Sequence, residues 1–197
     1  LYSFSKDQAE HDAFYEKAGS VLIGTEMALH YMRDPIENVL VASIDSLFSI
    51  PDFAIRERIL RILLRLRAKA TRRFQISTRR ANDSIFENAR QGNLADFYRN
   101  EFCDRKKYGY PPFVQLIKIS VGGTPKAAEK AILDAKKILE PYDLLVYPAF
   151  TERQKGKMIW NGILKIDPKS WPDENLRKKL MVLPPQFKIV VDTPSIL

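Results

Sequence analysis

The chain has 197 residues, of which 45% are hydrophobic and 28% charged, an ordinary composition for a globular protein with one large domain or two small ones. Its single cysteine, Cys103, excludes an internal disulfide and any zinc site built from several cysteines of this chain. The 32 Lys and Arg outnumber the 24 Asp and Glu, and the resulting net charge of +8 favours a polyanionic partner.

Neither a membrane span nor a signal peptide is expected. No apolar run approaches the ~20 residues that cross a bilayer, and the N-terminus lacks the basic and then apolar order of a signal peptide. We therefore expect no membrane partner. A reducing, cytoplasmic setting fits the cysteine content. The chain begins with Leu1 rather than Met, which favours a fragment of a longer protein.

The first part of the chain follows a strand, helix, strand order. Short apolar runs predict buried strands at 20–24 and 38–44. A helix with Asp52 as its N-cap is expected over 52–72. Residues 74–78 alternate as a half-buried strand. This order predicts an α/β domain with a mostly parallel sheet.

Residues 56–80 carry most of the positive charge. This basic block holds ten Lys or Arg against one acid, Glu57. Charged residues are most often simply solvated, but an inert surface interleaves signs. We therefore expect phosphate contact for part of the block, because neutralised phosphates release counterions. The ten cations are Arg56, Arg58, Arg61, Arg65, Arg67, Lys69, Arg72, Arg73, Arg79 and Arg80.

The second half of the chain has a different order of elements. Two helices are predicted at 82–90 and 93–107, separated by Gly92. The pattern then becomes strand, helix, strand, strand, helix, strand, which predicts a ferredoxin-like split βαβ domain with its boundary at 108–112. Strands are expected at 113–121, 143–147, 157–167 and 187–192, and helices at 124–140 and 173–183.

A second candidate for nucleic-acid contact is the loop 151–157, between two of these strands. Arg153, Lys155 and Lys157 surround Gly156 in this loop, at what we expect to be an outward hairpin tip. An ordinary polar turn explains the same residues equally well. The two histidines lack ligand spacing, so no metal site is predicted.

The segment 96–113, DFYRNEFCDRKKYGYPPF, resembles the signature FY-x-x-E-x-x-x-R-x-x-x-x-x-PPF of the PriA family of replication-restart helicases. Three further stretches resemble that family: 21–27 (VLIGTEM), 51–58 (PDFAIRER) and 190–197 (VVDTPSIL). Their order and spacing hold across nearly the whole chain. The positions that match the signature are Phe97, Tyr98, Glu101, Arg105, Pro111, Pro112 and Phe113.

This resemblance implies a fold and a domain division. It identifies 1–80 as a RecA-like helicase lobe 2 with a parallel sheet, 81–111 as a helical connector, and 112–197 as a small ribosomal-protein-like βαββαβ domain. The family's zinc module and phosphate-binding loop would lie outside this chain, since no G-x-x-x-x-G-K-[ST] occurs here. We therefore expect no cofactor in this fragment, with ATP and zinc confined to a full-length protein.

The resemblance also places a nucleotide motif of the family, Q-x-x-GRAGR, at residues 65–72. Arg65 replaces its glutamine, while Ala68 and Thr71 replace its glycines and so remove positive-φ freedom. Arg72 keeps the arginine-finger position, which in the family acts on the γ-phosphate. We interpret the lobe as a degenerate, inactive motor. The alternative is a divergent ATPase that still works.

The residues expected to contact DNA follow from the basic block, the loop and the resemblance. Lys69 replaces the motif's first arginine and cannot form a planar bidentate fork. Thr25 stands where related helicases touch the DNA backbone, and Glu26 replaces a neutral glutamine there. The expected nucleic-acid contacts are Thr25, Arg65, Arg67, Lys69, Arg73, Arg153, Lys155 and Lys157, and Arg72 is the candidate catalytic residue.

Three functions remain open from the sequence. The first is noncatalytic binding of branched or forked DNA in replication restart, together with other primosome proteins. The second is an active ATP-dependent DNA helicase. The third is a module that docks the acidic tail of the single-strand-binding protein through its lysines and arginines.

Overall fold

The computed structural model describes the backbone of residues 2–3, 14–30, 32–154 and 157–197, and the side chains of the same ranges except 2–3 and 150–154. Within the described ranges, no helix has the length and apolar character needed to cross a membrane.

The chain forms two compact units. The first comprises residues 1–50 and 55–97, and the second comprises 51–54 and 98–197. The tetrapeptide 51–54 therefore packs with the second half of the chain rather than with its sequence neighbours. The predicted division into lobe, connector and C-terminal domain stays a prediction.

The first unit is built on short parallel β-sheets and helices. Its elements are β1 Tyr2–Ser3, β2 Leu22–Ile23, β3 Ile36–Val41, α1 Ile55–Lys69, β4 Ala70–Ile76 and α2 Ser84–Gln91, with 3-10 helices at Glu26–His30 and Asp45–Ser49. Parallel pairing joins β1 to β2 and β3 to β4. The predicted α/β character with a parallel sheet is confirmed, whereas the assignment to a RecA-like lobe stays a prediction.

Helix α1 supplies the centre of this unit's hydrophobic core. Its apolar residues recur three or four positions apart, which places them on one face. Ile59 and Leu63 have no exposed surface. The arginines of the helix consequently lie on the remaining faces. The buried residues that pack with α1 include Ile85, Phe86, Ala89 and Phe97.

The basic helix is shorter than the predicted 52–72. It ends at Lys69, and strand β4 follows at once. Parallel pairing with β3 explains the early start of this strand, because Arg73 is registered with Asn38 in the ladder. Tertiary pairing here overrides the helical propensity of an arginine-rich run. Arg72 and Arg73 therefore belong to a strand, where successive side chains point to opposite faces.

Asp52 is not the N-cap of this helix, contrary to prediction. The helix begins at Ile55, and Asp52 forms a turn ahead of it, where its Oδ1 accepts a hydrogen bond from the N–H of Ala54 at 2.8 Å. Its other carboxylate oxygen contacts the hydroxyl of Ser195. The carboxylate thus serves the packing of the second unit.

The helices predicted on either side of Gly92 are confirmed. Asp83 caps α2, and its carboxylate accepts a hydrogen bond from the N–H of Ile85 at 3.1 Å. Gly92 has a φ of 73°, in the left-handed region that ends many helices at glycine. The next helix, α3, spans Leu94–Tyr108.

The second unit contains a four-stranded antiparallel sheet. Its elements are β5 Gln115–Gly123, α4 Pro125–Leu139, β6 Leu145–Gln154, β7 Lys157–Ile166, α5 Glu174–Val182 and β8 Lys188–Val191, with a 3-10 helix at Pro168–Ser170. The strand order is β6-β7-β5-β8, and neighbouring strands are antiparallel. The predicted βαββαβ order of elements is confirmed.

Strand β6 extends well beyond the predicted 143–147. It pairs with β7 from Leu145 to Gln154, with an irregular register between Pro148 and Arg153. Proline is tolerated here because β6 lies at the edge of the sheet, where a missing N–H donor breaks no ladder bond. Residues 155–156, which the sequence placed at a hairpin tip, lie outside the described residues.

Different parts of the chain cover the two faces of this sheet. Helices α4 and α5 cover one face, over the fully buried Ile117 and Leu164. On the other face, Lys118 Nζ donates to the carbonyl of Leu197. Tyr147 of β6 donates its hydroxyl proton to a neighbouring carbonyl of that C-terminal segment. Burial, reinforced by Asp52 and Tyr110, raises the pKa of Tyr147 to about 12.

Three of the stretches that carry the family resemblance meet in the second unit. Phe53 stacks on Tyr110 with ring centroids 5.0 Å apart and an interplanar angle of 14°. The guanidinium of Arg105 lies 5.4 Å from the centre of the Phe53 ring. Asp52 contacts Ser195 of the C-terminal segment. Side chains from stretches that are far apart in sequence are thus in contact within this unit.

Candidate nucleic-acid interface

The basic block is divided between helix α1, strand β4 and the turn that follows. Five of its ten cations form ion pairs within 4.0 Å among the described residues, and five form none. Acids from other parts of the first unit supply most of these pairs. The cations without such a pair are Arg65, Arg67, Lys69, Arg73 and Arg79.

Arg56 is engaged in the structure of the unit. Its guanidinium donates two hydrogen bonds to the carboxylate of Asp83, at 2.9 and 3.1 Å. Burial opposes ionisation of Asp83, but the bonds from Arg56 and from the N–H of Ile85 outweigh it and lower the pKa of that carboxyl. A bidentate pair of this kind joins α1 to the cap of α2.

Arg58 neutralises the acid that distinguishes this chain from the family motif. Its Nη2 lies 2.6 Å from Oε2 of Glu26. The sequence led us to expect that Glu26 would present a negative charge towards phosphates. In the structure that charge faces an arginine of α1 instead, so the two charges offset one another.

Arg61 and Arg80 are also paired within the first unit. Nη2 of Arg61 lies 3.6 Å from Oε1 of Glu57, which is one turn earlier on the helix. Nη2 of Arg80 lies 3.8 Å from Oδ2 of Asp83, and the guanidinium carbon of Arg80 lies 4.5 Å from the centre of the Phe48 ring. These contacts direct both cations towards protein groups.

A cleft of about 480 Å³ opens where α1 passes into β4. Arg67 Nη1 donates to the carbonyl of Ala89 at 3.3 Å, and the side chain of Arg73 has no hydrogen bond or ion pair within the described part of the chain. Arginines and apolar side chains share the wall of the cleft. The lining residues are Leu64, Arg67, Ala68, Ala70, Arg72, Arg73 and Phe74.

Arg72 has only a weak partner in this cleft. Its Nη1 lies 3.9 Å from Oε2 of Glu37, and the two side chains are 68% and 74% exposed. An exposed pair at that separation contributes little, typically about 0–1 kcal/mol. A phosphate can therefore compete for Arg72.

Arg65 and Lys69 lie on α1 beside the cleft but do not line it. Arg65 is exposed, whereas Lys69 Nζ donates to the carbonyl of Arg33 at 2.8 Å. The cation at the first arginine position of the family motif is thus turned towards the backbone of its own unit.

The two positions that lack the family's glycines have regular backbone. Ala68 lies in the last turn of α1, and Thr71 lies in β4, where its hydroxyl donates to the carbonyl of Ile36 at 3.3 Å. Among the described non-glycine residues, Asp192 alone has a positive φ. The helix runs directly into the strand, without a left-handed turn that would require glycine.

The remaining predicted contacts lie away from this cleft. Thr25 precedes Glu26, which binds Arg58, and Arg58 is about 14 Å from Arg67 along the helix axis at 1.5 Å per residue. Lys157 is exposed at the start of β7 in the second unit. The side chains of Arg153 and Lys155 lie outside the described residues. The structure thus brings together Arg67, Arg72 and Arg73.

The sequence did not predict the apolar residues of this cleft or the acid that contacts it, Glu37. Leu64 and Phe74 line the cleft, and neither is among the predicted contact residues. Glu37 reaches Arg72 from β3, and no local pattern links the two. Strand pairing between β3 and β4 was the signal that could have placed them together. In the described part of the chain, no cluster of three or more His, Cys, Asp or Glu could hold a metal.

No protein-family model matches the chain. Several curated proteins are similar to it in sequence. The replication restart protein PriA of Thermotoga maritima is 25% identical over 183 residues, which are 89% of this chain and 25% of that protein. PriA of Chlamydia muridarum is 29% identical over 143 residues, 68% of this chain and 19% of that protein. PriA of Borreliella burgdorferi is 31% identical over 113 residues, 54% of this chain and 17% of that protein.

These matches confirm the resemblance found in the sequence. The chain spans about a quarter or less of the length of these relatives. The chain is therefore distantly similar, over much of its length, to part of the replication restart protein PriA.

Proposed function

We propose that this chain binds the phosphates of forked DNA, as a noncatalytic part of a replication-restart protein. The similarity to PriA proteins supports the setting of replication restart and primosome assembly. In this proposal the partners are branched or forked DNA, the single-strand-binding protein and other primosome proteins, in the cytoplasm.

The cleft at the end of α1 carries the proposal. Arg67, Arg72 and Arg73 all line it, and within the described ranges only Arg72 among them has an ion-pair partner, with 3.9 Å between its Nη1 and Oε2 of the exposed Glu37. Guanidinium groups bind phosphate oxygens with a planar fork of donors. Three such groups beside one cleft form a local positive field that attracts a polyanion.

The noncatalytic part of the proposal rests on the family's motif positions. Ala68 and Thr71 occupy regular helix and strand. Lys69 is bonded to a backbone carbonyl instead of facing the cleft. An active site for phosphoryl transfer depends on exact placement of charge, and all three of these positions lie in regular helix or strand.

A titration of forked DNA at increasing salt tests this function. We expect the logarithm of affinity to fall linearly with the logarithm of salt concentration. Replacing Arg73 by alanine should weaken binding and lower the slope by about one, as for loss of one phosphate contact. Lys137→Ala is the control for the loss of one positive charge, because Lys137 lies on α4 of the second unit and does not line the cleft. Affinity that does not change with salt would contradict the proposal.

An active helicase is the second candidate, because Arg72 lies in the wall of the cleft at the arginine-finger position. The test is DNA-stimulated ATP hydrolysis by the full-length protein. If the lobe is inactive, Arg72→Ala leaves hydrolysis unchanged. Loss of roughly 10³-fold or more in rate, as for removal of an arginine finger, would establish the helicase instead.

A further inference from the structure

Helix α3 presents two different faces. Phe97 and Glu101 are buried, with 2% and 7% of their surface exposed, and Arg105, four positions further on, is partly buried. A spacing of four residues places these side chains on one face of the helix. The signature positions FY-x-x-E-x-x-x-R thus describe a buried stripe, together with one residue, Tyr98, that lies outside it.

The adjoining face of α3 exposes aromatic rings. Tyr98 is 47% exposed and Phe102 is 53% exposed. They are one helical turn apart, with Cβ atoms about 5–6 Å from each other by helix geometry. Phe102 packs edge-on against Phe113 with ring centroids 4.6 Å apart and an interplanar angle of 65°. This contact orients the Phe102 ring while about half of its surface stays in solvent.

Cations flank these rings. Arg99, Lys106 and Lys107 are exposed on the same helix, and its exposed acids, Asp96 and Asp104, are not three or four positions from Phe102. Phe102 lies three positions after Arg99 and four before Lys106, so both cations neighbour its ring on the helix surface. The aromatic surface is therefore set in a positive border.

We infer that this face of α3 binds unpaired bases of single-stranded nucleic acid. The inference rests on the proposed nucleic-acid binding and adds a second surface, separate from the arginine cleft. Bases stack on exposed aromatic rings irrespective of sequence, and flanking cations bind the phosphates. A duplex keeps its bases stacked inside and offers this face only phosphates. The positive border disfavours a basic protein partner as the occupant, because like charges repel.

The experiment compares three probes of roughly 15 nucleotides, a site size typical of single-strand binding. They are an oligodeoxythymidine single strand, an abasic single strand of the same length, and a blunt duplex. Phe102→Ala and Tyr98→Ala should each weaken binding of the oligodeoxythymidine about fivefold or more, the usual effect of removing one stacking ring. Binding of the abasic strand and of the duplex should not change.

Three control variants keep the result interpretable. Phe102→Tyr keeps an aromatic ring and should retain affinity for the oligodeoxythymidine. Phe102→Leu keeps apolar surface and loses the ring, so it should bind like the alanine variant. Leu133→Ala removes a comparably exposed apolar side chain, at 42%, from helix α4 of the same unit and should have no effect. Thermal unfolding of each variant checks that it is folded.

The outcomes separate this inference from the proposed function. If Arg73→Ala weakens binding of all three probes and the aromatic variants change nothing, the phosphate cleft stands and the stacking face is refuted. If Phe102→Leu binds oligodeoxythymidine as well as the unchanged protein, the face is an apolar docking surface and the inference is wrong. If no probe binds at all, both proposals fail.

Discussion

The two ends of helix α1 carry similar numbers of arginines but differ in what those arginines contact. Near the start, Arg56 and Arg58 bind Asp83 and Glu26 at hydrogen-bonding distance. Near the end, where the helix passes into β4, the arginines of the cleft have weak acidic partners or none among the described residues. Charge density along a sequence therefore does not show which charges are available to a ligand, because the neutralising acids come from elsewhere in the fold.

The largest effect is expected from breaking the pair at the start of the helix. Arg56→Ala removes two hydrogen bonds from a carboxylate whose side chain is only 13% exposed. We expect a loss of about 2 kcal/mol in the free energy of unfolding, as for hydrogen bonds to a charged group. Urea denaturation at neutral pH measures it. Arg61→Ala is the control and should cost less than about 0.5 kcal/mol, since its pair with Glu57 is exposed. Equal losses for the two variants would show that the partly buried Arg56–Asp83 pair stabilises the protein no more than the exposed Arg61–Glu57 pair.

At acid pH, the difference in the free energy of unfolding between the Arg56→Ala variant and the unchanged protein should become smaller. The pKa of Asp83 is lowered in the folded state, through the hydrogen bonds from Arg56 and Ile85 that outweigh its burial. Stability from this carboxylate is therefore fully present above its unfolded pKa of about 3.9 and is lost as pH falls through the lower folded value. Urea midpoints of both proteins at about pH 7 and about pH 3 test this. A difference that stays constant between those conditions would show that Asp83 is not the linked group.

A smaller effect is expected from releasing a paired arginine. Glu26→Gln removes the carboxylate that binds Arg58 and leaves that cation free to bind phosphate. We expect affinity for forked DNA to rise by up to about fivefold, or about 1 kcal/mol. Glu57→Gln serves as the control on the same helix, because its pair with Arg61 is longer at 3.6 Å. Affinity that does not rise for Glu26→Gln would mean that the start of the helix does not face DNA.

The smallest effect tests the backbone of the cleft. Ala68→Gly restores a residue type of the family motif within a regular helix. We expect it to destabilise the protein by about 0.5–1 kcal/mol, because glycine loses more conformational freedom than alanine on folding. Thermal unfolding measures the change. Stabilisation by this substitution would indicate that the helix end departs from the regular geometry.

Sequence periodicity predicted the elements of the second unit well because its signals are local. The alternation of 113–121 and the three- and four-residue spacing of 124–140 depend only on neighbouring positions, and the corresponding elements are present. The predicted bounds are wrong where pairing with a distant strand sets the end of an element. Helix α1 ends before Arg72 because β3 pairs with that stretch, and β6 passes through Pro148 because β7 continues alongside it.

The candidate site divides in the same way. The sequence alone determined that residues 56–80 are strongly basic. The resemblance aligns residues 65–72 with a nucleotide motif of the family and predicts that Arg72 keeps its arginine-finger position. Only the tertiary structure decided that Asp83 and Glu26 form ion pairs with Arg56 and Arg58 at the start of α1. It also decided that Arg67 and Arg73 line the cleft at the other end. The physical reason is that charge composition is a property of the chain, whereas neutralisation requires an opposite charge within about 4 Å, and folding alone brings distant residues that close.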